Sequence, residues 1–354
     1  MHSVMCMRIE KLREFIAEKE LDGALITGKE NLFYFTGSSP VLGGYLVVTP
    51  DDAVFLVPEL EYEEARETSK VPVEKFKTGK DLYERLSSFK LGKLGIEGRT
   101  SFSTIQTLKE KAGVNDFATV DDVIKDLRII KTKEELEVIE AACRIADMAM
   151  MAALEEISEG RREREIAAKM EYVMKMNGAE KPAFDTIIAS GWRSALPHGI
   201  ASDKRIEKGD LVVIDEGALY RHYHSDMTRT IVVGSPNEKQ REIYEIVLEA
   251  QKKGVEAARP GMTAKELDTI VRDVIAEYGY GDYFIHSTGH GVGLQIHEWP
   301  RVSQQDETVL KPGMVITVEP GIYIPKFGGV RIEDTIVITE NGAKRLTKTE
   351  RELI

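Results

Sequence analysis

Four acidic residues interrupt apolar, strand-like runs in the second half of the 354-residue chain, and they come in pairs. In LVVIDEGALYRHYHSDMTRTIVV, Asp215 and Asp226 are symmetric about the bond between Tyr220 and Arg221, so a hairpin turning there sets them opposite each other. In VITVEPGIYIPKFGGVRIEDTIVIT, Glu319 and Glu333 are symmetric about Lys326, and KFGG is a good turn sequence. Cross-strand partners share a face and lie close together. Facing carboxylates repel unless one is protonated or a cation intervenes. Two such pairs form an oxygen-rich cage suited to hard or borderline divalent ions. A third segment, STGHGVGLQIHEWPR, surrounds His290 with Gly289, Gly291 and Gly293, which permits close backbone approach and special dihedrals. One imidazole with four carboxylates suffices for two ions. Two ions roughly 3.5–4 Å apart can hold a hydroxide and polarise a carbonyl. Singly, each feature is ordinary, since spaced acid pairs are usually solvated and a Gly-flanked His is usually a turn residue. Together, within apolar strands, they point to metal-assisted hydrolysis.

The elements that carry these residues follow from periodicity. Residues 6–20 have helical spacing, followed by strand-like GALIT, GYLVVT and AVFLV. Apolar runs then alternate with amphipathic helices to about residue 125, which predicts an α/β N-terminal domain over residues 1–127. From Lys131 the texture changes. TKEELEVIEAACRIADMAMMAALEEI reads as a long helix with Thr132 as N-cap and Glu135 completing a capping box. A helix ending at Gly178 follows, then strands, helices over 237–258 and 263–277, and a final strand-rich part. Strands grouped in pairs with tight turns predict an α+β domain with antiparallel pairing over residues 128–354.

Composition narrows the partners. Sixty acidic residues against forty-eight basic ones give a net charge of −12, which disfavours non-specific nucleic-acid binding. The 42% hydrophobic content excludes a disordered acidic chain. The charge-free run from Asn31 to Pro50 is no membrane span, because Gly and Pro interrupt it and polar residues dilute it. Two cysteines, Cys6 and Cys143, read as free thiols, and residues 1–20 lack the apolar core of a signal peptide, so a cytoplasmic location is expected. Five Asn and six Gln against 31% charged residues fit heat adaptation.

In type and order, Asp215, Asp226, His290, Glu319 and Glu333 resemble the five ligands of the pita-bread metallopeptidases, which include methionine aminopeptidase, aminopeptidase P and prolidase. The segments FDTIIASG, ALPHG, TGHGVGL, HEWPR, VEPGIY and RIEDT resemble that family too, as does NLFYFTGSSP its N-terminal domain. The likeness covers essentially the whole chain and is nearest to the prolidase (Xaa-Pro dipeptidase) branch of hyperthermophilic archaea. It implies a pita-bread (creatinase/aminopeptidase-like) catalytic domain with a curved antiparallel sheet, and a homodimer. It implies two divalent ions drawn from Mn, Co, Zn or Fe, with Asp215 on one ion, His290 and Glu319 on the other, and Asp226 and Glu333 bridging. Glu319 would accept and then return the proton of the attacking water. His198 and His297 would contact the substrate and the developing oxyanion. Arg301 would pair with the substrate carboxylate, and Phe184 would line the pocket. The implied reaction is hydrolysis of Xaa-Pro dipeptides. The alternatives are an aminopeptidase P acting on longer Xaa-Pro peptides and a non-catalytic peptide-binding protein of the same fold.

Five further residues stand out. Thr228 shares a strand face with Asp226 and could support the site. His222 and His224, near the hairpin turn, read as surface or supporting residues, and His286 has no assigned task. Glu216 departs from the family, which generally has an apolar residue after the first aspartate. In a strand it points away from Asp215, where it would either remove an apolar contact or find a basic partner.

Overall fold

A computed structural model describes residues 2–352 of the chain, and the side chains of residues 2–4, His2 among them, lie outside what is described. The chain divides into two compact units, Met1–Arg128 and Ile129–Ile354. The first holds strands β1 (Gly23–Ile26), β2 (Tyr45–Val48), β3 (Ala53–Pro58), β4 (Val73–Phe76), β5 (Lys93–Ile96) and β6 (Asp116–Thr119) in one mixed sheet of order β4-β3-β2-β1-β5-β6. Helices α1 (His2–Glu18), α2 (Lys29–Thr36), α3 (Tyr62–Thr68), α4 (Gly79–Ser88), α5 (Phe102–Ala112) and α6 (Asp121–Ile129) alternate with the strands. Leu25, Val47, Leu56, Leu82, Leu94 and Leu108 bury their side chains in a shared core. Part of the charge-free run over 31–50 belongs to α2, a helix that periodicity did not reveal. Helix α2 ends at Gly37, whose φ of 77° is the left-handed cap that glycine adopts without strain. Among the described residues, no helix is long and apolar enough to cross a membrane.

The second unit repeats one plan twice, a capped helix pair followed by antiparallel strands. Helices α7 (Lys133–Glu156) and α8 (Glu163–Met176) lead into β7 (Lys181–Pro182), β8 (Ile187–Ser190), β9 (Leu211–Glu216), β10 (Ala218–Tyr220), β11 (Tyr223–His224) and β12 (Met227–Val232). Helices α9 (Glu238–Ala257) and α10 (Ala264–Glu277) lead into β13 (Gly289–Gly291), β14 (Glu298–Val302), β15 (Val315–Val318), β16 (Gly321–Ile324), β17 (Gly328–Arg331), β18 (Asp334–Thr339) and β19 (Gly342–Arg345). Thr132, Asn237 and Thr263 each open a helix with a full capping box, satisfying backbone N–H groups that the helix cannot pair itself. Ile145, Met150, Ile166 and Met170 pack on Ile188, Val212 and Ile214 of the first half. Ile243, Val247, Leu267 and Val271 pack on Ile316, Val318 and Ile336 of the second. The registered strand pairs of this unit are antiparallel, as its paired strands and tight turns predict.

The two hairpins differ in how well the sequence foretold their register. The second is centred on Lys326: Ile324 pairs with Gly328, and beyond the gap Val318 pairs with Asp334 in the same register. Continued through that gap, the register sets Glu319 opposite Glu333. The first hairpin is shifted. Tyr220 pairs with Tyr223, so the turn is Arg221-His222, and Asp215 faces Thr228 rather than Asp226. Both turn residues have positive φ, 47° and 69°, the signature of a two-residue primed turn normally built from Asn and Gly. A shift of two residues preserves the face, so Asp226 becomes a diagonal neighbour of Asp215.

Candidate metal centre

The strand that carries His290 explains its glycines. A Cβ on Gly289 would lie 2.1 Å from the Thr317 carbonyl oxygen, and one on Gly291 would lie 2.1 Å from that of Trp299. Only glycine lets β13 pass between these backbones. Neither glycine, nor Gly293, has positive φ, so close approach is the whole reason and the special dihedrals expected here are not needed. The pairing with β14 is irregular after His290, which faces Arg301, while Gly291 faces Glu298. Upstream, Asp268 of α10 accepts the Thr288 N–H at 3.0 Å and fixes where the strand begins.

His290 Nδ1 lies 3.0 Å from the Gly291 carbonyl, which can only accept, so Nδ1 donates and, in the neutral ring, Nε2 carries the lone pair. Nε2 sits 3.4 Å from both Asp226 Oδ2 and Glu319 Oε1. Ligand atoms of Asp226, His290 and Glu333 lie within 4.8 Å of one another. Glu333 Oε2 accepts the Thr228 hydroxyl at 2.6 Å, and Glu319 Oε1 accepts that of Thr317 at 3.2 Å. Asp215 Oδ2 accepts from Arg331 Nη2 at 2.7 Å. Two buried oxygens, Asp215 Oδ1 and Glu333 Oε1, have no hydrogen-bond partner. A buried carboxylate oxygen left bare is costly, and a cation is the partner that this donor set fits.

The electrostatics make the same demand. Burial, followed by the charge of Asp215, raises Asp226 to about 6 against the pull of His290. Burial raises Glu319 to about 7 and pushes Glu333 well above the usual carboxylate range. Burial drives the His290 imidazole down, but the Asp226 carboxylate and then Glu319 outweigh it and carry the ring to about 9. The acids therefore draw positive charge to the point where Nε2 faces them. Divalent ions would supply that charge without a proton.

A second group of residues ties this cluster to its surroundings. Arg331 donates through Nη2 to Asp215, through Nη1 to Tyr323 Oη at 2.7 Å and through Nε to Thr228 Oγ1 at 3.1 Å. His286 Nδ1 faces the Ser287 carbonyl at 2.8 Å, so its Nε2 accepts from the Tyr323 hydroxyl at 2.8 Å. Burial, then the charge of Arg331, holds His286 down to about 4, a neutral ring at neutral pH. Arg331 and Tyr323 did not stand out in the sequence. The signal for Arg331 was a lone basic residue in GGVRIED, two positions before Glu333 and so on its strand face.

The remaining candidates are placed as follows. His297 is exposed, with its ring 4.3 Å from that of His290; partial loss of water, then the charges of His290 and His198, lower it to about 4. His198 is exposed in the loop after β8. Arg301 is exposed on the strand paired with His290. Phe184 is half-buried in the bend between β7 and β8. Thr228 bonds Glu333, on the other hairpin, and not Asp226 on its own. His224 reaches the Gly293 carbonyl through its backbone N–H and Nδ1, while His222 lies near Glu180 at the surface. Glu216 is fully buried and neither of its oxygens is hydrogen-bonded, so it has lost an apolar contact without gaining a bonded basic partner.

The chain as a whole is similar to known proteins. Residues 137–340 match metallopeptidase family M24, and residues 8–130 match the Creatinase/Prolidase N-terminal domain. The chain is 72% identical over 347 residues to an Xaa-Pro dipeptidase of Pyrococcus furiosus, covering 98% of this chain and 99% of that one. It is 66% identical over 351 residues to an Xaa-Pro dipeptidase of Pyrococcus horikoshii, covering 99% of each. The crystal structure of the prolidase from Pyrococcus horikoshii OT3 superposes with a TM-score of 0.97 at 66% identity, covering 98% of this chain and all of that one.

Proposed function

The chain belongs to metallopeptidase family M24, and on that premise we propose that it hydrolyses the bond before proline in Xaa-Pro dipeptides with two divalent ions, held by Asp215, Asp226, His290, Glu319 and Glu333. One observation carries this reading: an acid cluster in which Asp215 Oδ1 and Glu333 Oε1 are buried without a hydrogen-bond partner, while His290 Nε2 points at Asp226 and Glu319 from 3.4 Å. Such ions supply a hydroxide nucleophile at neutral pH and a Lewis acid for the scissile carbonyl.

The protein's own groups do the rest. Glu319, pushed by burial to about 7, is suited to take a proton near neutral pH and return it to the leaving nitrogen. His297, neutral above about 4, can turn an N–H toward a developing oxyanion without bringing a charge of its own. His198 contacts the substrate from the loop after β8. Arg301 presents a guanidinium fork to the proline carboxylate, and Phe184 lines the pocket. The tertiary amide before proline has no N–H to offer, and a nucleophile that attacks the carbonyl does not need one.

The native ion is drawn from Mn, Co, Zn and Fe, which carboxylate sites with one imidazole all accept. A homodimer in the cytoplasm of a heat-adapted cell completes the reading, supported by the family's habit and by the scarcity of Asn and Gln. Steady-state rates on Ala-Pro and Ala-Pro-Ala test the specificity. The dipeptide should be turned over well and the tripeptide poorly; strong tripeptide turnover would replace this reading with an aminopeptidase P.

A further inference from the structure

The loop that carries His198 is held at both ends by a single carboxylate remote in sequence from the acid cluster. Glu163, the first residue of α8, is fully buried. Its Oε1 accepts the N–H and the hydroxyl of Ser190, each at 2.8 Å, where β8 ends and the loop begins. Its Oε2 accepts the N–H of Ser202 at 3.0 Å and its hydroxyl at 2.6 Å, where the loop returns. The same oxygen takes the guanidinium of Arg193, which donates its other nitrogen to the Ile200 carbonyl at 2.8 Å. A buried carboxylate persists only when donors surround it. Here those donors come from the loop and its two feet.

The middle of the loop is seated as well. Ser194 Oγ accepts the Gly329 N–H at 2.8 Å, and a Cβ on Gly329 would lie 2.4 Å from the Ser194 carbonyl oxygen. The loop therefore rests on the β16–β17 hairpin, which lies between Glu319 and Glu333 in the chain. Its tip is left to present His198, which is exposed.

We propose that Glu163 is a positioning residue for the dipeptidase reaction, closing the 191–201 loop at Ser190, Arg193 and Ser202 so that His198 meets the substrate in one orientation. This rests on the substrate contact assigned to His198 above. Glu163 touches neither substrate nor ion, and it acts only through the loop.

A double-mutant cycle on the metal-loaded enzyme separates this from a general structural role. Glu163→Gln should lower kcat/KM for Ala-Pro roughly 10- to 100-fold, the scale of a misplaced contact, with metal content unchanged. In a His198→Ala background the same substitution should cost nothing further, because the group it positions is already gone. Full activity in Glu163→Gln, or losses that multiply in the double variant, overturns the proposal while leaving His198 in its role. Wild-type activity in His198→Ala overturns that role, and the positioning proposal with it. Should Glu163→Gln fail to fold, Ser202→Ala removes one hydroxyl donor from the same carboxylate and runs the same cycle, with the same outcomes deciding.

Discussion

Glu319, partly buried in the acid cluster, and Glu216, fully buried next to Asp215, meet different surroundings. Glu319 has the Thr317 hydroxyl and the His290 ring beside it. Replacing it with Gln keeps the shape and removes the proton acceptor, so kcat on Ala-Pro should fall roughly 10²–10⁴-fold while the circular dichroism spectrum stays that of the parent. Wild-type turnover would refute the role. Glu216 has no bonded partner, and burial, then the charge of Asp215, pushes its carboxyl well above the usual range. Glu216→Val should stabilise the protein by about 1–3 kcal/mol, the cost of a bare buried polar group. The sign follows from the raised folded-state value. Below about 4.5 both states hold the proton, so folding carries no linkage penalty there. As pH rises past that point, the unfolded chain gains from ionising and the folded one does not, so the advantage of valine should grow. Denaturant midpoints from pH 4 to 8 check this, and a flat difference would contradict it. The acids of the cluster stood out because acids are rare inside apolar strands. Arg331 was not, because a single arginine in a strand says nothing of what it bonds until the fold brings Asp215, Tyr323 and Thr228 around it.

At the scale of elements, register decided what could be read. KFGG marks a turn, so the symmetry of Glu319 and Glu333 about Lys326 was visible and agrees with the paired strands on both sides. Arg221 and His222 form a turn that favours glycine and asparagine, and their side chains conceal it. The hairpin centre was therefore misplaced by one residue, which moved each partner by two. Because strands alternate with period two, the error left Asp215 and Asp226 on one face. The glycines around His290 carry a sharper prediction. Gly291→Ala puts a methyl group 2.1 Å from a carbonyl oxygen that belongs to the backbone and cannot swing aside. The variant should lose about 1–3 kcal/mol of stability and bind Mn more weakly, as read by thermal unfolding and titration calorimetry. Unchanged metal affinity would mean that β13 does not set the ring's position.

Over the whole molecule, the division into an α/β part and an antiparallel α+β part was legible from texture, while the repetition of one plan within the second was not. The two halves of that unit share no obvious sequence, only a sequence of elements. Asp215 and Asp226 come from the first half; His290, Glu319 and Glu333 come from the second. Arg229 of β12 fastens the halves by donating to Asp334 and to the Thr349 and Glu350 carbonyls. Ions held by the proposed ligands across that junction would stabilise only the assembled state, by about 4 kcal/mol when their concentration is a thousandfold above Kd. Exhaustive chelation of the dipeptidase should abolish activity and lower its thermal midpoint, and Mn or Co should restore both. Activity that survives complete removal would defeat the mechanism.

The spread of the proposed ligands from Asp215 to Glu333 would also set a timetable. During synthesis the first two acids leave the ribosome more than a hundred residues before the last one. Until Glu333 emerges, the nascent chain holds a partial cage that cannot grip an ion as the finished one does. On the proposed ligand set, loading would then be a late event in the protein's life. It would serve as a check on completeness, since a chain cut short before the final hairpin would lack Glu333.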